Sequence, residues 1–149
     1  MAIDDFFKKI DNKIESINAK KEADAERKID LESFLRNSIQ DIAPSLKEYE
    51  EKLKERGVNC ELRISDLGFS LIMKFKDGGH HGIIFGRELR SKYQHYTFTS
   101  TFTNDDGKNI TGTTAMPVTE KNWSKKLVEE NIEKTIDDFF LYSDIHGGY

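Results

Sequence analysis

Apolar residues in the first part of the chain recur at alternating steps of four and three, which is the spacing of a coiled-coil seam. We call this set the N-terminal seam; it consists of Ile3, Phe7, Ile10, Ile14 and Ile17. Polar side chains then occupy the same helical phase, and apolar residues return to it from Leu31. The retained phase favours one long helix, although two helices joined at the polar stretch remain an alternative. We predict a helical N-terminal arm over residues 1–28 that self-associates through the seam.

A second apolar stripe follows Pro44, at Leu46, Tyr49 and Leu53. Proline is tolerated in the first turn of a helix, where its missing N–H would have had no partner in any case. The pattern therefore predicts that Pro44 interrupts the first helical region and opens a new helix. Gly57 is the expected C-cap of that helix, because glycine readily adopts the left-handed conformation that this position requires.

The middle of the chain, residues 60–118, mostly alternates apolar and polar side chains, which is the period of half-buried strands. Two segments, 77–79 and 105–107, have the composition of three-residue hairpin loops, with glycine available for a positive φ. We predict five antiparallel strands that follow one another in a meander.

These two loops, a two-residue turn at Leu67-Gly68 and a loop over residues 87–92 also predict strand registers. The expected opposite pairs are Cys60 with Phe75, Phe75 with His81, Ile83 with Tyr96, and Thr101 with Thr111. All of these pairings keep the apolar side chains on one face of the sheet, which we call the apolar face. The other face is then lined by threonines, and we call it the threonine face.

The last part of the chain has a helical apolar pattern from Trp123 to Phe140. Thr119 is the expected N-cap, and Val118 with Trp123 fits a hydrophobic staple. This helix would cover the apolar face. The sequence thus predicts an α+β fold in which N-terminal helices precede a five-stranded antiparallel β-meander, and a C-terminal helix packs on one face of the sheet. Residues 29–149 would form a single domain.

The threonine face also carries isoleucine and aromatic side chains. Apolar residues on an otherwise polar sheet surface need cover, which the N-terminal helix, a second subunit or another protein would supply. We predict the following partner-binding residues on this face: Ile72, Ile84, Tyr93, His95, Thr97 and Thr99.

Composition narrows the classes of function. The chain has 149 residues, 34% of them charged, and a formal net charge of -4 without a cluster of lysine and arginine. That balance argues against a nucleic-acid partner. We expect no membrane association, because no apolar run approaches the roughly 20 residues that span a bilayer. The start of the chain lacks the pattern of a secretory signal, and Cys60 is the only cysteine, so a cytoplasmic location is the default.

Candidate chemistry is sparse. The predicted registers place His81 and His95 on opposite faces of the sheet, so these two side chains would not share a metal ion. No phosphate-binding loop or catalytic triad is recognisable. We therefore predict no catalytic residue, no metal and no cofactor, and the sequence favours a protein that is not an enzyme.

The leading hypothesis is a non-enzymatic, cytoplasmic protein that binds and occludes a protein partner, as an immunity protein, an inhibitor or a chaperone does, and that forms homo-oligomers. The order of elements resembles that of secretion chaperones and toxin-immunity proteins at the level of fold alone. The alternative is a small-ligand-binding protein or enzyme whose cavity, between sheet and helices, is lined by His81, Tyr96 and Trp123. A polar pocket around His81 would favour this alternative, whereas a tightly packed imidazole would favour the first hypothesis.

Overall fold

The computed structural model describes residues 2–87, 95–113 and 117–149. By its internal contacts the chain divides into a first unit, Met1–Phe34, and a second unit, Leu35–Tyr149. The elements in chain order are helix α1 (Ala2–Glu55), strands β1 (Asn59–Ser65), β2 (Gly68–Lys74), β3 (His80–Arg87), β4 (Tyr96–Thr103) and β5 (Asn109–Thr113), helix α2 (Lys125–Leu141) and a short 3-10 helix, η1 (Ser143–His146). The predicted α+β fold is confirmed.

The N-terminal region is one helix, and Pro44 lies inside it at an exposed position. The prediction that a new helix opens at Pro44 is therefore wrong. Ile42 and Leu46, on either side of the proline, are both buried, so a continuous helix covers both side chains. Burying two such residues contributes about 3–6 kcal/mol. An interior proline costs about 3 kcal/mol, which that burial offsets.

The end of α1 agrees with the sequence. Gly57 adopts a φ of +80°, and its N–H donates to the carbonyl of Lys54 at 3.0 Å. The N–H of Val58 reaches back to the carbonyl of Leu53 at 3.0 Å. These two hydrogen bonds satisfy carbonyls that have no partner within the helix at its C-terminus. Gly57 is therefore the C-cap, as predicted.

The sheet has the order β1-β2-β3-β4-β5, with every neighbouring pair antiparallel, as the predicted meander requires. The register between β4 and β5 is the predicted one, with Thr101 opposite Thr111. Its loop is the three-residue segment 105–107. Asn104 and Lys108 close this loop by a backbone hydrogen bond of 2.8 Å, and Gly107 supplies the φ of +79°.

The register between β2 and β3 differs from the prediction by two residues. The N–H of Phe75 donates to the carbonyl of Gly79 at 2.8 Å, so the hairpin loop is 76–78 rather than 77–79. Gly78, with a φ of +88°, takes the left-handed position. His81 consequently lies opposite Met73 instead of Phe75.

Two other predicted registers are also wrong. Cys60 lies opposite Met73, a shift of two residues, and Ile83 lies opposite Ser100, a shift of four residues from Tyr96. Every shift is an even number, and side chains alternate between faces with a period of two. Each residue therefore stays on its predicted face although its neighbour on the next strand has changed.

Helix α2 begins later than predicted. Ser124 is the N-cap, because its hydroxyl accepts the N–H of Leu127 at 3.0 Å. The predicted N-cap, Thr119, instead opens a turn, in which the N–H of Trp123 donates to its carbonyl at 3.0 Å. The Asn122 side chain accepts the N–H of Thr119 at 2.6 Å and donates to the carbonyl of Pro117, so a local side-chain bond competes with the helix here.

The core lies between the apolar face of the sheet and the helices. The ring of Phe75 stacks on Phe139 of α2, with centroids 4.5 Å apart, and Phe85 contacts Trp123 at 5.2 Å. Glu50 of α1 accepts the backbone N–H of Leu62 at 2.7 Å, which fastens this helix to the edge strand β1. The predicted packing of the C-terminal helix on one face of the sheet is confirmed.

Candidate functional site

The N-terminal seam is largely open to solvent. Ile3 is 68% exposed and Ile14 is 49% exposed, and Phe7 and Ile17 are exposed as well, whereas Ile10 is half-buried. The sequence analysis overlooked Phe6, which is exposed and contacts the ring of Phe7 edge-on at 5.3 Å. Phe6 widens the apolar surface although it lies outside the strict spacing of the seam.

The polar continuation of the seam is also solvated. Asp24 pairs with Arg27 at 3.6 Å, and both side chains are more than half exposed. An exposed pair of this kind contributes little to stability. The exposed apolar residues at seam spacing therefore lie within residues 3–17, and Ile29, outside that spacing, is a further exposed apolar residue of the first unit.

On the threonine face, Ile84 and Ile72 are centrally placed. Ile84 is 39% exposed and Ile72 is half-buried. Gly82 makes room for Ile72: a Cβ atom at this glycine would come within 2.5 Å of the Cδ1 atom of Ile72. The glycine thus has a packing role on this face, and no phosphate-binding role is needed to explain it.

His80 also lies on the threonine face, and the threonines hold it in place. Its Nε2 atom is 2.7 Å from the hydroxyl of Thr101, and its Nδ1 atom is 3.2 Å from the hydroxyl of Thr103. Burial, and to a lesser extent the charge of Lys74, lowers the pKa of His80. We therefore assign His80 a structural role on the threonine face.

The predicted partner-binding residues differ in accessibility. Thr97 is buried, and its hydroxyl has no hydrogen-bond partner in the part of the chain that the structure describes. His95 and Thr99 are half-buried. Tyr93 lies outside the described residues. The accessible part of the threonine face therefore centres on Ile84.

A cleft of about 350 Å³ opens on the other side of the sheet, between β3, β4, the C-terminal end of α2 and η1. We call it the His81 cleft; its lining includes His81, Ser100, Phe102, Asp138, Tyr142 and His146. The lining combines aromatic rings with hydroxyl, carboxylate and imidazole groups. This mixture is typical of small-ligand sites, in which a few polar groups orient a largely apolar molecule.

The imidazole of His81 stacks with two aromatic rings, with centroid distances of 5.7 Å to Phe102 and 6.2 Å to Tyr142. Its Nε2 atom is 3.9 Å from the Oδ2 atom of Asp138, which is too far for a hydrogen bond. Burial lowers the pKa of His81, and the nearby Asp138 carboxylate opposes that shift without overcoming it. Burial therefore favours the neutral form of the imidazole.

A second histidine of the cleft has a firm partner. The Nδ1 atom of His146 is 2.7 Å from the Oδ2 atom of Asp77, and its ring stacks on Phe75 at 4.4 Å. The N–H of Gly79, and then His146, hold the pKa of Asp77 below its usual value. This contact ties η1 to the loop between β2 and β3. The tail, residues 144–149, has no periodic pattern, so the sequence did not predict this contact.

The predicted cavity is correct in one residue. His81 lines the cleft, whereas Tyr96 is buried outside its lining and Trp123 contacts Phe85 elsewhere in the core. Cys60 is buried, and burial raises the pKa of its thiol, so it is not poised as a nucleophile. Across residues 2–87, 95–113 and 117–149, no three histidine, cysteine or acidic side chains gather as metal ligands would.

Comparison with protein-family models, curated proteins and solved structures gives no match. Within the described residues, no helix combines the length and the apolar character that crossing a membrane requires. The function is therefore argued from the surfaces and the cleft themselves.

Proposed function

We propose that the protein is a non-enzymatic, cytoplasmic interaction protein that self-associates through the N-terminal seam and occludes a protein partner with its threonine face. One observation carries the proposal. Apolar side chains at coiled-coil spacing, among them Ile3, Phe7 and Ile14, are about half or more exposed to solvent. Contiguous apolar surface of this kind is a typical mark of a protein–protein contact.

A second copy of the chain is the occupant we assign to the seam. Seam residues of two helices interdigitate as knobs into holes, and a repeat of isoleucine and phenylalanine is complementary to itself. The positions that continue the seam are Lys21, Asp24 and Lys28. In a parallel pair each of them would meet its own like charge, so such a pair would be apolar over residues 3–17 and would separate beyond them.

The threonine face is the surface we assign to a different protein. Ile84 presents an accessible apolar centre, and the surrounding hydroxyl groups form a polar rim. Interfaces commonly have this arrangement of an apolar centre within a polar border. A partner bound here would be held by shape and burial, and covering the partner's own surface would be the mechanism of inhibition, immunity or chaperoning.

Self-association is tested by the mass of the full chain in solution. Light scattering should give a multiple of the 17.2 kDa chain mass. Ile14→Asp should reduce the mass to that of one chain, because it would bury a charge in the seam. The control is Ser16→Asp, which introduces the same charge two residues away and off the seam. A wild-type mass of one chain at all accessible concentrations would contradict this part of the proposal.

Partner binding is tested by recovering proteins that accompany the tagged full chain from its native host. Ile84→Asp should abolish the recovery of a specific partner. Leu141→Asp is the matched control, because Leu141 is also an exposed apolar residue but lies at the end of α2. Equal recovery with both variants would show that the threonine face is not the binding surface.

A further inference from the structure

We propose that the His81 cleft binds a small organic cation that combines a protonated amine with a planar apolar body, as an arylalkylamine does. This ligand site is separate from the seam and from the threonine face, and it does not depend on the function proposed for them. The proposal rests on the spacing of an imidazole and a carboxylate at the cleft, on the charge of the cleft and on its aromatic walls.

The first observation is the state of His81. Its side chain is 9% exposed, and the imidazole borders the cleft. Its Nε2 atom and the Oδ2 atom of Asp138 are 3.9 Å apart, which is beyond hydrogen-bond distance. A ligand in the cleft would bridge these two groups.

The separation of these two groups matches an ammonium ion. A nitrogen about 2.8 Å from each of them would donate one hydrogen bond to the Asp138 carboxylate and a second to the Nε2 atom of His81. Two acceptors 3.9 Å apart then subtend an angle of about 90° at that nitrogen, roughly 20° below the tetrahedral angle and within the range that hydrogen bonds tolerate. The neutral imidazole that burial maintains is able to accept this bond.

The charge of the cleft favours a cation over an anion. Its described lining contains the carboxylates of Asp105 and Asp138 and neither lysine nor arginine. His146, the other imidazole, is already engaged with Asp77. The two carboxylates would repel an anionic ligand, and no lysine or arginine of the described lining would offset that repulsion. The same carboxylates would attract an ammonium group.

The walls of the cleft account for the apolar body of the ligand. The rings of Phe102 and Tyr142 both stack with the imidazole, and Ile145 adds an aliphatic side chain to the lining. Aromatic faces attract organic cations as well as planar rings. A volume of about 350 Å³ accommodates a molecule with one aromatic ring and a short alkylamine chain.

The test is an NMR titration of the full wild-type chain with three probes. We use 2-phenylethylamine, which has ring and charge; 2-phenylethanol, which has the ring alone; and n-butylamine, which has the charge alone. We expect saturable shifts of the His81 and Tyr142 ring signals with 2-phenylethylamine, and at least about tenfold weaker binding of the other two probes. Absence of saturation with 2-phenylethylamine, or binding of either other probe as tightly as 2-phenylethylamine, would overturn the proposal.

A matched pair of variants locates the site. Asp138→Asn should weaken binding of 2-phenylethylamine by about tenfold, because it removes the charged acceptor. Asp137→Asn makes the same change of charge at the preceding, exposed residue and should leave the affinity unchanged. Equal losses in both variants would mean that general surface charge attracts the amine, and the proposed site would be wrong. The three-probe series on the wild-type chain decides the question if Asp138→Asn fails to fold.

Discussion

The two halves of helix α1 carry apolar residues in the same helical phase but differ in what covers them. In the first unit, Ile3 and Ile14 face solvent over about half or more of their surface. In the second unit, Leu35 and Leu46 are buried almost completely. An isolated helix gains little from its own hydrogen bonds, so most helical stability comes from packing of the apolar stripe. The second half is therefore stabilised by packing within its own chain, whereas the apolar stripe of the first half is exposed to solvent.

The largest expected effect contrasts one residue from each half. Leu46→Ala should lower the free energy of unfolding by about 2–5 kcal/mol, because it opens a cavity in a packed core. Ile14→Ala, measured at low concentration where the chain is monomeric, should change it by less than about 0.5 kcal/mol, as surface substitutions usually do. Urea denaturation followed by circular dichroism measures both. Comparable losses in the two variants at low concentration would remove the distinction between the halves.

A second experiment asks how strongly packing supports the second half of the helix. Pro44→Ala restores a backbone N–H and a favourable helix residue, which should raise the free energy of unfolding by about 3 kcal/mol. The same change makes the unfolded chain more flexible, which lowers the free energy of unfolding by about 0.4–1 kcal/mol. We therefore expect a net stabilisation of about 2 kcal/mol, measured by denaturation. Lys47→Ala is the control, since Lys47 is exposed in the same part of the helix. A destabilised Pro44→Ala variant would mean that the proline ring itself is required for packing.

The sequence predicted which face of the sheet each side chain occupies better than it predicted which residues are neighbours. The alternation of apolar and polar residues depends only on odd and even positions, so it survives a shift of two or four residues. The registers depend on the loops. The segment around Gly78 and Gly79 offers two equivalent ways to supply a positive φ, and the sequence does not distinguish them. The loop that ends in Gly107 offers only one, and there the prediction is correct.

The two candidate sites also differ in how far local sequence predicts them. The exposed seam follows from spacing within one helix, and its residues were found from the sequence. The His81 cleft brings together residues that are distant along the chain, among them His81, Asp138 and His146. Its shape depends on how far α2 extends and on where the tail turns back, and neither feature has a local pattern. His81 itself was considered because the alternation of its strand places it on the apolar face.

The smallest expected effect is a difference in acid sensitivity between the two units. All four histidines belong to the second unit. Burial lowers the pKa of His81 and of His80 below the ordinary value of 6.5. A histidine whose pKa is lower in the folded chain than in the unfolded chain binds its proton less readily when folded. Such a histidine destabilises the folded chain progressively as the pH falls from 6.5 toward its folded pKa. The carboxylate of Asp77, whose pKa is lowered from 3.8, keeps its contribution until the pH falls below that value.

We therefore expect the free energy of unfolding of the second unit to decline between about pH 6.5 and pH 5, before carboxylates titrate. Urea denaturation at these two pH values, followed by tryptophan fluorescence, reports on this unit because Trp123 is the only tryptophan. His81→Gln keeps a polar side chain that cannot take up a proton, so the decline should become shallower. Helical signal from the first unit, which contains no histidine, should not change over the same interval. A variant that declines as steeply as the wild-type chain would show that His81 contributes nothing to the acid sensitivity, and the difference between the units would then have to arise from other groups.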